Sequence, residues 1–242
     1  MPDSESVQQT FAGSGGPEID HVRRRVLIVD DHPIIRHGLR RVMDNEDDLM
    51  VCGEAETVRD ARTAIRNLAP DVVIVDISLK RGDGMELVRE VRAHHPQLPL
   101  LVLSMHDELI YAERMLAAGA NGYIMKQAAS EQFLVAIRRV LAGGIYVSEA
   151  VGNHMIQRCA ARGAANSANP VDRLSNRELQ ILHMIGKGMS TRETAQSLNL
   201  SIKTVESHRQ RIKRKLNLST GSQLVQYAVN WYGMRASDGP ER

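Results

Sequence analysis

The stretch Arg25-Val-Leu-Ile-Val-Asp-Asp-His-Pro33 decides the architecture of the first half of the chain. Val26 to Val29 form an uninterrupted apolar run, too short for a helix and rich in β-branched side chains, so it reads as a strand buried on both faces. Asp30 and Asp31 end the run. Pro33 then opens a helical stretch reaching about Met43, because a first helical turn tolerates proline's missing N–H. The same alternation continues downstream, with strands expected at 50–55, 72–76, 100–104 and 122–125 and helices at 58–68, 84–94, 109–118 and 131–142. Five strands, each followed by a helix, predict an α/β fold: a parallel, doubly wound sheet covered on both faces.

Working outward, residues 1–22 are rich in Ser, Gly, Gln and acids with no apolar period, and read as a disordered leader. Beyond Gly143-Gly144 the pattern becomes irregular, and Arg162-Gly-Ala-Ala-Asn-Ser-Ala-Asn-Pro170 is small, polar and linker-like. From Leu174 only helical patterning remains, at 176–185, 191–198, 202–216 and 222–231. Ser175 precedes Glu178 at capping-box spacing, and Gly186 and Gly188 close the first of these helices. The expected organisation is therefore a leader (1–22), an α/β domain (23–145), a linker (146–171) and an all-α four-helix domain (172–235).

Charge divides the chain in the same way. Residues 1–150 carry 17 Lys and Arg against 23 Asp and Glu, whereas residues 151–242 carry 14 against 6, although the whole chain is only +2. A basic second half suits a polyanionic partner. The composition, 43% hydrophobic and 25% charged, excludes a wholly disordered or fibrous chain. No apolar run is long enough for a membrane span, and the acidic start lacks a signal peptide's basic and apolar regions, so a soluble cytoplasmic protein without a membrane partner is expected. Cys52 and Cys159 cannot make a disulfide framework or a four-thiolate zinc site.

Chemistry is concentrated at the strand ends. Asp30 and Asp31 follow the first strand and Asp76 closes the third, and open parallel sheets bind ligands outside the carboxyl ends of their strands. Three convergent carboxylates repel one another unless a cation neutralises them, and hard oxygen donors with room for water suit Mg²⁺. Ser104 ends the fourth strand and Lys126 follows the fifth, adding a hydroxyl and an ammonium to the same rim. A lone aspartate there is more often a helix cap, and a lone lysine is usually solvated; five groups from four strands at one edge argue instead for uptake of a phosphoryl group.

The second half offers a basic helix. Residues 203–215 hold Lys203, Arg209, Arg211, Lys213, Arg214 and Lys215 against Glu206 alone. Val205, Ile212 and Leu216 share one face at helical spacing, leaving Arg209 and Lys213 together on another. A charge run is commonly just a solvated face. Here a short helix, 191–198, and the turn Asn199-Leu-Ser201 precede it, which describes a helix-turn-helix whose second helix enters the major groove of DNA.

At these residues the chain resembles known families. Leu27-Ile-Val-Asp-Asp-His-Pro33, Val73-Ile-Val-Asp76, Val102-Leu-Ser-Met-His-Asp107 and Gly119-Ala-Asn-Gly-Tyr-Ile-Met-Lys126 are similar to the flavodoxin-like receiver domain of two-component response regulators. Leu174-Ser-Asn-Arg-Glu-Leu179 and Ser201-Ile-Lys-Thr-Val-Glu-Ser-His-Arg209, ending in Lys215-Leu216, resemble the LuxR-type DNA-binding domain. Together they point to the NarL/FixJ class. The resemblance implies that Asp76 is the phosphoacceptor, that Asp30 and Asp31 with a Ser78 backbone carbonyl hold Mg²⁺, and that Ser104 and Lys126 contact the phosphoryl oxygens. It implies that Tyr123 is a switch residue, the alternative being a half-buried strand aromatic. It makes Lys203, Thr204, Ser207, His208, Arg209, Gln210 and Lys213 candidates for the DNA face, although Thr204 also reads as a helix-start cap and His208 as a packed surface residue. Arg177 and Arg192 are candidates for backbone phosphates, or are simply solvated. Two departures stand out: Lys80-Arg81 where many receivers carry a loop proline, and Glu206 where some relatives carry a base-contacting lysine.

The expected function is a phosphorylation-controlled transcription regulator rather than an enzyme. Its expected partners are a sensor histidine kinase, double-stranded DNA and a second copy of the chain when active, with RNA polymerase a further candidate. The alternatives are a regulator that works without phosphorylation and, less well matched, a Mg²⁺-dependent aspartyl phosphohydrolase.

Overall fold

Apolar runs become strands and the punctuated stretches between them become helices, in strict alternation. The computed structural model describes residues 23–79, 82–161 and 170–236. The expected leader, Lys80-Arg81 and residues 162–169 of the linker lie outside the described residues. The chain divides into two compact units, the first ending at Ser148 and the second starting at Glu149.

The first unit runs β1 (Arg24–Val29), α1 (Pro33–Asp44), β2 (Leu49–Ala55), α2 (Val58–Leu68), β3 (Val72–Asp76), α3 (Gly84–His94), β4 (Leu100–Ser104), α4 (Glu108–Ala117), β5 (Gly122–Met125) and α5 (Ser130–Leu141). All strand pairs are parallel, in the order β2-β1-β3-β4-β5. This is the expected doubly wound, flavodoxin-like sheet. Every residue of β3 and β4 is buried, as helix cover on both faces requires. Each of their Val, Leu and Ile side chains contributes about 1.5–3 kcal/mol by leaving water. One layer of the core joins Val26, Ile28, Ile74, Leu101 and Leu103 of the sheet to Met43 of α1 and to Phe133, Ile137 and Val140 of α5.

Register brings the chemistry together. Val29 pairs with Val75, Asp76 with Leu103 and Ser104 with Met125. Asp30, Asp76, Ser104 and Lys126 therefore lie in a row at one sheet edge. The helices that follow are started by local caps: Thr57 accepts from the Asp60 amide, Asp83 from Met85, and Asp107 from Leu109.

The second unit contains α6 (Glu149–Ala161), a 3-10 turn (Pro170–Arg173), α7 (Asn176–Gly186), α8 (Thr191–Ser197), α9 (Ile202–Leu216) and α10 (Gly221–Ala236). The four helices read from the sequence are α7 to α10, with α10 extending further at its C-terminal end. Helix α6 is additional and occupies part of the segment read as linker. Helix α7 packs against α10 and α9, and α8 against α9. Leu179, Ile181, Leu182, Val205, Ile212, Leu224 and Ala228 form its buried interior. Ser175 with Glu178 and Ser190 with Glu193 form complete capping boxes on α7 and α8.

Candidate functional site

In the first unit, Asp30, Asp31 and Asp76 are buried at the carboxyl edge of the sheet. Together with His32, each offers one ligating atom, and these atoms lie within 4.8 Å of one another. Lys126 reaches across the row: its Nζ lies 2.6 Å from Asp30 Oδ2 and 2.9 Å from Asp76 Oδ2. The His32 ring lies 3.1 Å from Asp30 Oδ1 and 2.8 Å from Asp31 Oδ1. Burial pushes the Asp76 carboxyl above the usual carboxylate range; Lys126 opposes that rise and Asp30 adds to it. For Lys126 burial disfavours the charge, but Asp76 and Asp30 outweigh it and hold the ammonium above its ordinary range. Hard carboxylate oxygens on a half-open rim are the donor set Mg²⁺ takes, so the residues fit that ion.

The backbone around Asp76 is tightly determined. The Ser78 amide donates to Asp76 Oδ1 at 3.1 Å. Gly84 crosses directly behind the carboxylate: a Cβ there would stand 2.3 Å from the Asp76 carbonyl oxygen and 2.7 Å from Ile77 Cα. No residue but glycine allows that approach.

Ser104 is completely buried, and its Oγ accepts from the His106 amide at 3.0 Å. Tyr123 is buried, not half-buried as the bland reading had it, and burial drives its phenol well above the ordinary range. That phenol donates to the His106 carbonyl at 2.8 Å, with Ser104 among the groups that act on its pKa. Ser104 and Tyr123 are thus joined through the His106 backbone, whose amide donates to one and whose carbonyl accepts from the other.

Three participants carried no signal strong enough to single them out. His106 bridges the loops after β3 and β4, with its Nε2 2.5 Å from Ser78 Oγ. His32 folds back on both aspartates that precede it. Arg36, one helical turn into α1, donates to the Asp30 carbonyl at 2.8 Å while pairing with Glu54 and Glu56. Adjacency to the acid pair was the available clue for His32 and Arg36.

In the second unit, Ser201 caps α9 by accepting from the Thr204 amide, and the Thr204 hydroxyl lies 2.8 Å from Ser201 Oγ. Thr204 therefore belongs to the cap arrangement, half-buried. Lys203, Ser207 and Gln210 are exposed, whereas Arg209 and Lys213 are partly covered. The Ser207 hydroxyl donates to the Lys203 carbonyl. Arg209 lies 3.7 Å from Glu206, which also accepts from the Thr191 hydroxyl, so Glu206 ties α9 to the start of α8. His208 is partly buried, and burial followed by Arg211 lowers its pKa; it is set into the helix packing rather than presented outward. Arg192 is exposed. Arg177 is half-buried, and its guanidinium donates to the Leu198 carbonyl at 2.9 Å and to Gln180 at 2.8 Å, holding the turn before α9. Lys215 leaves the basic face as well, pairing at 2.6 Å with the buried Glu178 of α7.

Comparison with known proteins agrees with both halves. Residues 26–138 match the response regulator receiver domain, and residues 172–228 match the bacterial regulatory proteins of the luxR family. The oxygen regulatory protein NreC of Staphylococcus epidermidis is 33% identical over 210 residues, covering 85% of this chain and 96% of that protein. Its counterpart in Staphylococcus aureus strain MRSA252 is 34% identical over 209 residues, with the same coverage. Among solved structures, RcsB of Salmonella enterica serovar Typhimurium, bound to promoter rprA with the phosphomimetic BeF3⁻, aligns with a TM-score of 0.55 at 27% identity, covering 86% of this chain and 98% of that one. A LuxR-family two-component response regulator from Aurantimonas sp. SI85-9A1 aligns with a TM-score of 0.54 at 30% identity over 57% of this chain and 99% of that one.

Proposed function

Because the chain belongs to the two-component response regulators that join a receiver domain to a LuxR-type DNA-binding domain, we propose that Asp76 takes a phosphoryl group from a sensor histidine kinase and that this drives dimeric, sequence-specific binding of DNA by α9. The observation that carries the reading is the buried row Asp30, Asp76 and Lys126, with Ser104 and Tyr123 both bonded to the His106 backbone beside it.

Asp76 Oδ1 is oriented by the Ser78 amide and Oδ2 by Lys126, which leaves the carboxylate pointing at the open rim as a nucleophile. Asp30, Asp31 and Asp76 would hold Mg²⁺, with the Ser78 carbonyl as a further ligand, and the ion when bound supplies positive charge against the phosphoryl oxygens. Lys126 adds its own cation between Asp30 and Asp76, in a site where burial strengthens the interaction. When the Ser104 hydroxyl turns to a phosphoryl oxygen, its hydrogen bond from the His106 amide is disturbed, and Tyr123, which donates to the His106 carbonyl, must rearrange with it. That exchange is the switch.

On the DNA side, Lys203, Ser207, Arg209, Gln210 and Lys213 form the candidate reading face, with Arg192 placed for a backbone phosphate and Thr204 at the helix entry. Glu206 is held by Thr191, which removes it from direct base contact. Paired receivers make the second half-site contact effectively intramolecular, so phosphorylation raises affinity without altering α9. DNA-bound dimers of RcsB lend support to this step. The attached DNA-binding domain favours a regulator over a phosphohydrolase.

The test is direct. Incubation with acetyl phosphate and Mg²⁺ should attach one acid-stable, base-labile phosphoryl group, and Asp76→Asn should abolish it. The labelled chain should bind duplexes selected from genomic DNA more tightly than the unlabelled chain. Undiminished labelling of Asp76→Asn would sink the assignment.

A further inference from the structure

After α5 the chain turns back before leaving the first unit. Gly143, at φ +81°, allows the reversal. Tyr146 then adds to the outer edge of β5 as a single-residue parallel bridge to Gly122. Its amide donates to the Asn121 carbonyl at 3.0 Å, and its carbonyl accepts from the Tyr123 amide at 2.9 Å. Two residues on, Ser148 Oγ donates to Glu108 Oε1 at 2.7 Å, in the first turn of α4. Gly122 makes the approach possible, since a Cβ there would lie 3.1 Å from the Tyr146 carbonyl oxygen and 2.9 Å from Leu101. Residues 145–148 are therefore a strap tied to β5 at Tyr123 and to α4 at Glu108.

Those two anchor points are where the chemistry of the site surfaces. The Tyr123 phenol is held by the His106 carbonyl, and Glu108 follows Asp107, the residue after His106. Ser148 is also the last residue before α6, the first helix of the second unit. The polar attachment of the strap is sparse, although Tyr146 also packs against the hydrophobic core. One bridge residue has no neighbouring ladder pairs, and an open cleft of about 340 Å³ lined by Glu108, Gln127, Gln132, Tyr146 and Ser148 runs beside it.

We propose that this strap carries the phosphorylation state of Asp76 out of the receiver: it is closed in the unmodified chain and released when Ser104 and Tyr123 rearrange. The proposal rests on the phosphorylation reading above. A change of the Ser104–Tyr123 pair alters the strand carrying the Tyr123 amide and the loop leading to Glu108 together, so both ends of the strap are disturbed by one event. Release exchanges three hydrogen bonds for bonds to water, which has little net cost, and gives up the partial burial of Tyr146 against the core, which keeps the strap closed until the site changes. A ligand shifts such an equilibrium only by its differential interaction with the two states, and the strap supplies that difference at the exit from the receiver.

The experiment uses the intact chain and residue-resolved amide hydrogen exchange, with and without acetyl phosphate and Mg²⁺. The Tyr123 and Tyr146 amides should exchange roughly tenfold faster after labelling, while Val75 and Val102 in the central strands stay protected. Ser148→Ala should give the unlabelled chain part of that acceleration and raise its affinity for selected duplex DNA about threefold, without changing the initial rate of Asp76 labelling. Glu108→Gln should act in the same direction, and the double variant should fall short of the sum of the two single ones, because they share the Ser148–Glu108 bond. Unchanged exchange at Tyr123 and Tyr146 in a chain that labels and gains DNA affinity would overturn the strap alone, as would independent, additive effects of the two substitutions. Failure of the parent to label, or to respond to labelling, would overturn the reading beneath it and the strap with it.

Discussion

Replacing Lys215 by Met tests how the candidate recognition helix is held. Lys215 Nζ lies 2.6 Å from Glu178 Oε2, and the glutamate side chain is 3% exposed against 35% for the lysine. Loss of one partner from a fully buried pair costs about 3–5 kcal/mol. Here the lysine is a third exposed, and Glu178 keeps the Ser175 amide at 2.8 Å. The better guide is a single hydrogen bond to a charged group, so we expect a loss of about 2 kcal/mol. In a helical unit of this size that lowers Tm by roughly 10 °C. Trp231 is the chain's only tryptophan and is buried on α10, so its fluorescence follows the second unit within the intact protein. The pH dependence fixes the cause. Burial alone would raise the Glu178 pKa, but Lys215 and Ser175 outweigh it and hold the carboxyl below its usual range. A lowered folded pKa gives stability that is present above the unfolded value of about 4.3 and lost as pH falls through the folded one. The gap between parent and Lys215→Met should therefore be full at pH 7 and close in acid. A gap of less than about 2 °C at neutral pH, or one that persists unchanged at about pH 3, would refute the ion-pair account and leave only packing of the lysine stem.

Three further outcomes are expected. Burial raises the Asp76 pKa, so its ionised form destabilises the fold as pH rises past that value; Asp76→Asn should raise the receiver's Tm at neutral pH without divalent ions, as scanning calorimetry will show. Gly84→Ala drives a methyl group into the backbone of Asp76 and Ile77, and should cost about 3 kcal/mol in urea unfolding and impair Asp76 labelling, since neither neighbour is a side chain that can swing aside. Lys213→Ala should flatten the salt dependence of DNA binding by about one unit of slope, whereas Ser207→Ala should change sequence preference more than slope; equal slopes for Lys213→Ala and the parent would remove Lys213 from the DNA face.

The sheet was legible because each strand is a short apolar run closed by a polar residue, and because parallel register is fixed once the strand order is known. The grouping of Asp30, Asp76, Ser104 and Lys126 followed from their places at strand ends of such a sheet, whereas the role expected of Asp76 came from the family resemblance. Helix α6 was not legible: Gly152 interrupts it, and Ile156 faces solvent, so no apolar stripe marks it. Bridging by Tyr146 was equally hidden, since pairing through one residue leaves no periodic trace. Ionic and hydrogen-bond partners were the hardest to read. Arg177 and Lys215 look like neighbours of the DNA face in the sequence, yet their ends are taken up by Leu198 and Glu178. Long cationic side chains reach partners that spacing along one helix cannot reveal.

The complete burial of β3 and β4 has a consequence for how such a chain can diversify. A close-packed interior resists displacement, so the distance between Asp30 and Asp76 is set by β3 and by the buried end of β1, which pairs with it and cannot yield to what binds outside. The sheet is a fixed anvil. Substitutions on the helix faces and loops leave the anvil untouched, so the surfaces that a partner meets can vary without moving the carboxylates.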